Sequence, residues 1–125
     1  MRVVVAGSRL MTDVMEVESI LAWHIGMLDY TPEFCSGGAK GVDTIAEVYL
    51  DRIGADFIRF EADWNQGKAA GYKRNKKMIE WALEDEHNML IAILKGDSYG
   101  TRHTIRIAIE NHIRVMHVYR PNKVS

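Results

Sequence analysis

The chain has 125 residues, 47% of them hydrophobic and 26% charged, with a net charge of −1 and one cysteine. That size and mix predict one ordinary globular domain over 1–125, with a core that needs no staples, and they exclude disorder. A lone Cys35 excludes an internal disulfide, no apolar run approaches the roughly 20 residues of a membrane span, and the near-neutral balance speaks against a large duplex nucleic-acid footprint.

Val3–Ala6 is a β-branched run closed by Gly7-Ser8-Arg9, the pattern of a short buried strand, and it is too short for a signal peptide. With the single thiol, this predicts a cytoplasmic protein. From about Thr12 to Leu28, apolar residues recur at helical spacing (Val14, Val17, Ile20, Leu21, Ile25, Leu28), with Thr12 or Asp13 as the cap. Glu33–Ser36 reads as a second strand. A second helix is expected from about Val42 to Ile53, stopped by Gly54. Asp56–Phe60 reads as a third strand, Glu61–Lys68 as a polar loop and Ala69–Glu84 as a third helix. Met89–Leu94 is the clearest buried strand. After it come a loop at Gly96–Gly100, a helix over about Thr101–Asn111, a last strand at Val115–Tyr119 and a tail from Pro121. Strict alternation of this kind predicts an α/β fold with a parallel sheet and helices on both faces. It also predicts a ligand site outside the carboxyl ends of the strands.

The loops at those ends hold the candidate binding residues. Gly7-Ser8-Arg9 offers close backbone approach, a hydroxyl and a cation for an anionic group. Ser36–Asp43 places Gly37, Gly38, Ala39, Lys40 and Gly41 between a strand and a helix, so that backbone N–H donors gather at the helix's positive end. This loop is neither a GxGxxG fingerprint nor a Walker sequence. Asp43 either caps the helix or takes a ribose hydroxyl. Asp63 and Trp64 follow; Trp64 either stacks on a base or covers core. In Lys73-Arg74-Asn75-Lys76-Lys77, Arg74 and Asn75 are expected to face the pocket and the lysines water. Ser98, Gly100 and Thr101 open the helix after the most buried strand, with Thr101 as its cap or first residue, and form a nest for phosphate. The five histidines lack metal-ligand spacing, so no metal site is expected. Cys35 reads as a small core residue, and Trp23 and Trp81 as core or an oligomer face.

Taken in order, Gly7-Ser8-Arg9, Gly37–Asp43, Asp63-Trp64, Ala70–Met78 and Gly100-Thr101 resemble the SLOG superfamily, in its small branch related to YspA and YpsA. The resemblance runs from Val3 to Val118. It implies a Rossmann-like α/β/α fold with a mainly parallel five-stranded sheet, and binding of a nucleotide or NAD-derived, ADP-ribose-like molecule. The chain is further expected to form a homo-oligomer, a dimer or tetramer, in a bacterial or phage-infected cell. Among relatives, the LOG phosphoribohydrolases cleave the N-glycosidic bond of a nucleoside monophosphate, and their catalytic arginine falls on Arg74. Their loop glutamate falls on Thr104, so the carboxylate that such cleavage uses is missing here. Asp97, Asp63 or Asp43 would have to replace it, which leaves Arg74 and Asp97 as the catalytic candidates. The expectation is therefore a binder, sensing or sequestering its ligand. An N-glycosidase is the alternative, and a single-strand nucleic-acid binder like the DNA-processing DprA members is a second one.

Overall fold

The computed structural model describes residues 1–121; the end of the expected tail, 122–125, lies outside the described residues. Strands β1 (Arg2–Gly7), β2 (Glu33–Ser36), β3 (Phe57–Arg59), β4 (Asn88–Lys95) and β5 (Arg114–Arg120) alternate with helices α1 (Val14–Gly26), α2 (Val42–Arg52), α3 (Ala69–Leu83) and α4 (Tyr99–Glu110). A single 3-10 turn at Trp64–Gln66 precedes α3.

The strands form one sheet in the order β3-β2-β1-β4-β5, and every pairing is parallel. This is a Rossmann-like α/β fold. The expected alternation holds, and "mainly parallel" sharpens to wholly parallel among the described residues. Period-two alternation along β1 sorts its side chains. Val3 and Val5 pack with Val17 and Leu21 of α1 and Ala46 and Leu50 of α2. Val4 and Ala6 pack with Met78, Ile79 and Ala82 of α3 and Ala108 of α4. Both faces of the central strands are thereby buried, which is why β1 and β4 read as unbroken apolar runs rather than as alternating ones.

Several boundaries differ from the sequence reading. Helix α1 starts at Val14 because Asp13, with extended backbone, accepts the Glu16 N–H at 3.1 Å; Thr12 is not the cap. Val14 itself is exposed. Helix α4 starts at Tyr99, two residues earlier than expected. Its cap is Ser98, whose backbone is extended (φ −149°) and whose Oγ accepts the Thr101 N–H at 3.4 Å, so Thr101 lies inside the first turn. Cys35 is wholly buried and burial pushes its thiol pKa up. Trp81 belongs to the core, whereas Trp23 does not.

Strand order reverses direction between β1 and β4. The chain leaves β1 toward β2 and leaves β4 toward β5, so the loops after the two strands diverge and open a crevice at their carboxyl ends.

Candidate functional site

A cavity of about 350 Å3 occupies that crevice. Its floor is the end of β1, its near walls are the loops after β1 and β4, and α3 closes the side. Of the residues expected at the site, Gly7, Ser8, Arg9, Ala39, Asp43, Trp64, Arg74, Asn75, Asp97, Ser98, Gly100 and Thr101 line it. Gly37, Gly38, Lys40, Gly41 and Asp63 do not line it.

The glycines after β2 serve the chain itself. A Cβ on Gly37 would lie 2.5 Å from Arg74 Nη1, and one on Gly38 2.6 Å from Arg59 Cδ. Gly41 has φ +79°, and a Cβ there would run into the Ser8 carbonyl oxygen. Through that contact the first two loops interlock: Ser8 O accepts the N–H groups of Met11 and Val42, each at 3.3 Å. Ser8 is spent on structure too. Its N–H donates to Ile93 O at 3.0 Å and its Oγ accepts from Lys95 N–H at 2.8 Å. Lys40 stays in water. Asp63 holds the 3-10 turn, accepting from Asn65 N–H at 3.2 Å and Gln66 Nε2 at 3.3 Å.

Arg74 is the best-fixed cation of the cavity. Its Nη1 donates to Gly37 O at 2.7 Å and its Nε to Asn75 Oδ1 at 2.8 Å. Asn75, buried, donates in turn to Gly100 O and His103 Nδ1, both at 3.2 Å, tying α3 to the first turn of α4. Burial lowers the Arg74 pKa, Asp43 opposes that shift, and the charge of Arg9 adds to it. Arg9 itself rests over Trp64, 5.8 Å from the ring centroid. Trp64 in turn lies against Gly71 of α3, where a Cβ would stand 3.1 Å from the indole. Among the described residues, neither Arg9 nor Arg74 has a carboxylate within 4.0 Å. Lys73, Lys76 and Lys77 point to solvent, as expected.

Asp43 is the buried acid of the cavity, 5% exposed. Its Oδ2 accepts the Ala39 N–H at 3.1 Å, while its Oδ1 is buried and has no partner among the described residues. Burial is the main reason its pKa is pushed up to about 6; the Ala39 N–H and Arg74 pull the other way. The other carboxylate at the rim, Asp97, is exposed and paired with Arg102. Thr104, where the resemblance puts the LOG glutamate, is buried and donates to Gly100 O at 3.1 Å.

Leu10, Lys68, Gly71, Tyr72, Met78 and Tyr99 also line the cavity, and the sequence reading had not placed them there. Gly71 and Tyr72 stood inside the motif that contains Arg74, so helical spacing alone would have found them. A second cluster also went unnoticed. Buried Glu47 of α2 accepts from Ser36 Oγ at 2.9 Å and Arg59 Nε at 2.6 Å, and this bracing of the loop after β2 raises the Arg59 pKa. An acidic residue in mid-helix reads as solvent-facing until its partner on another strand is known.

Two comparisons bear on the chain. The family model described as YAcAr, the YspA, cpYpsA-related SLOG family, matches residues 1–67. The Gene 61 protein of Mycobacterium phage D29 is 31% identical over 121 residues, covering 92% of this chain and 94% of that protein. The family match ends before Arg74, and the phage relative spans most of the chain. Among the described residues no helix is long and apolar enough to cross a membrane.

Proposed function

Since the chain belongs to the YspA, cpYpsA-related SLOG family, we propose that it binds a nucleotide or an NAD-derived, ADP-ribose-like ligand in the crevice between β1 and β4, as a sensor or sequestering protein. The observation that carries this reading is a pairing of opposites in one cavity. Among the described residues the buried acceptor Asp43 Oδ1 has no hydrogen-bond partner, and the two guanidiniums, Arg9 and Arg74, have no carboxylate in ion-pair contact, although Asp43 acts on Arg74 at longer range. A ligand with hydroxyls and phosphate on one molecule satisfies both. A ribose hydroxyl would donate to Asp43 Oδ1, removing the cost of an unsatisfied buried group. Phosphate would sit between Arg74, Arg9 and the start of α4, where Tyr99 and Gly100 present N–H groups beside the Ser98 and Thr101 hydroxyls. Trp64, with Tyr72 or Tyr99, would flank the base. The same reading has the protein acting in the cytoplasm as a homo-oligomer.

Hydrolysis of an N-glycosidic bond is the second reading. One observation favours it: Asp43 is a carboxylate with a raised pKa inside the cavity, as a general acid or base requires. It would replace the absent glutamate, with Arg74 stabilising the phosphate end; Asp97 is a weaker substitute because Arg102 already engages it.

Calorimetry with AMP, NAD, ADP-ribose and a cyclic nucleotide tests binding, and chromatography of the same mixtures reads any free base. We expect at least one of these ligands to bind. Arg74→Ala should weaken that ligand by about 2 kcal/mol or more, the scale of a lost charge-assisted hydrogen bond. Gly37→Ala should weaken it likewise, because the new methyl displaces the guanidinium from the Gly37 carbonyl while the fold persists. A folded protein that binds none of the panel overturns the reading, and free base released at a rate abolished by Asp43→Asn replaces it with the hydrolase.

A further inference from the structure

Asn75 is 3% exposed, and both polar atoms of its side chain are engaged. Its partners fix which way the amide faces. The Arg74 Nε–H can only donate, so the atom 2.8 Å from it is the amide oxygen. The Gly100 carbonyl can only accept, so the atom 3.2 Å from it is the amide nitrogen. One N–H of Nδ2 serves Gly100, and the other is left for His103 Nδ1, also 3.2 Å away. A ring nitrogen that faces an N–H must offer its lone pair. His103 is therefore neutral, with its proton on Nε2.

The result is a relay of hydrogen bonds. Asn75 Nδ2 donates to His103 Nδ1, Arg74 Nε donates to Asn75 Oδ1, and Arg74 Nη1 donates to Gly37 O at 2.7 Å. The relay ties α4, α3 and the loop after β2 together beside the cavity. His103 does not line the cavity, but Tyr72 does, and its ring centroid stands 4.4 Å from that of the imidazole. From α3 the imidazole thus meets Tyr72 and Asn75. The charges that act on it belong to its own helix, Arg106 and Glu110. Burial is the main reason the His103 pKa is lowered; Arg106 lowers it further, and Glu110 opposes both.

We propose that His103 is a positioning residue for Arg74: the neutral imidazole holds Asn75 and the guanidinium as they stand, and protonation of the ring releases both. A proton on Nδ1 sets donor against donor and leaves a buried Asn75 N–H without an acceptor. The amide cannot turn over to escape. Reversed, it would offer its oxygen to the imidazolium, but it would also set that oxygen against Gly100 O and its nitrogen against Arg74 Nε. No orientation of Asn75 therefore satisfies Arg74, Gly100 and a charged His103 together. Freed from Asn75, Arg74 keeps only its bond to Gly37, and its direction in the cavity is no longer fixed. The effect on ligand affinity rests on the binding reading above; the coupling between His103 and Arg74 does not. The sign is a cavity that holds anions better as pH rises through the His103 titration.

Nitrogen-15 NMR of the full chain tests this without a ligand. At neutral pH the His103 ring should show the Nε2–H tautomer, and the Arg74 Nε–H signal should shift with the midpoint of the His103 titration. Asp43 also titrates near pH 6 and acts on Arg74, so a variant must separate the two. His103→Asn keeps an acceptor, Oδ1, at the place of Nδ1 but cannot be protonated there. Its Arg74 signal should match the wild type at neutral pH and lose the His103-linked shift, leaving only the part due to Asp43. His103→Leu, without an acceptor, should show a displaced Arg74 signal at every pH. In calorimetry with ADP-ribose at neutral pH, His103→Leu should bind at least about fivefold more weakly, and His103→Asn within about twofold of the wild type. An Nδ1–H tautomer, or an Arg74 signal that shifts alike in the wild type and His103→Asn, overturns the proposal. If His103→Leu does not fold, those two titrations still decide it. A folded wild type that binds no ADP-ribose while the titrations stay linked counts against the binding reading and upholds the positioning role.

Discussion

Asp43 is held in the cavity by the Ala39 N–H, with its second oxygen unmatched among the described residues, and that arrangement has two consequences of opposite sign. Its folded pKa, about 6, stands above its ordinary value of 3.8, so the charged form is the one that folding disfavours. Stability from this group is complete below pH 4, where it is protonated whether folded or not, and is lost as pH rises through about 6. The difference of about 2 pKa units corresponds to about 3 kcal/mol at neutral pH. Asp43→Asn should therefore stabilise the ligand-free protein above pH 6 by up to that amount, with no gain at pH 4. Urea unfolding of both proteins across this range reads the difference, and a pH-independent difference would overturn the assignment. The same variant should weaken ligand binding, because the amide cannot replace a charged acceptor for a hydroxyl. A residue that costs the empty protein stability and repays it on binding is characteristic of functional sites.

At the scale of elements, the site depends on how helices begin. Ser98 fixes the start of α4 and hence the direction of the Tyr99 and Gly100 N–H groups. Ser98→Ala should lower the stability to urea by about 1 kcal/mol, the usual value of a lost cap. An unchanged midpoint would show that Ser98 is not the cap. The elements themselves were largely legible in the sequence. The bounds expected for β2, Glu33–Ser36, are those observed, and Gly54 stops α2 close to where it was expected to. These signals are local: β-branching, capping side chains, a glycine. What was not legible depends on partners distant in the chain. The sequence marks Gly37 and Gly38 as a phosphate loop, and only the fold brings Arg74 and Arg59 over them. It marks Ser8 as a phosphate ligand, and only the β1–β4 pairing brings Lys95 to its hydroxyl. Arg74 and Asn75 were legible because one helix carries them both, with the lysines on its other side.

The whole molecule is a sheet whose centre and edges differ in burial. β1 and β4 are paired on both sides and covered on both faces, whereas β3 and β5 are edges with exposed or half-buried side chains. Local opening is easiest where few contacts must break. Native-state hydrogen exchange should accordingly find β1 and β4 amides the slowest, β2 next, and β3 and β5 the first to exchange. Equal protection across the sheet would contradict this order. The uniform direction of the strands also divides the connections by task. Each connection from a strand to the next helix lies at the carboxyl end of the sheet, where the cavity is, and each connection from a helix to the next strand lies at the opposite end. Grafting is therefore safe at one pole and harmful at the other. A peptide epitope or fluorophore spliced in at Gly54, where a Cβ would meet no atom within 4 Å, leaves the binding end untouched. The same insert at Gly41 would prise apart two interlocked loops and erase the pocket they form.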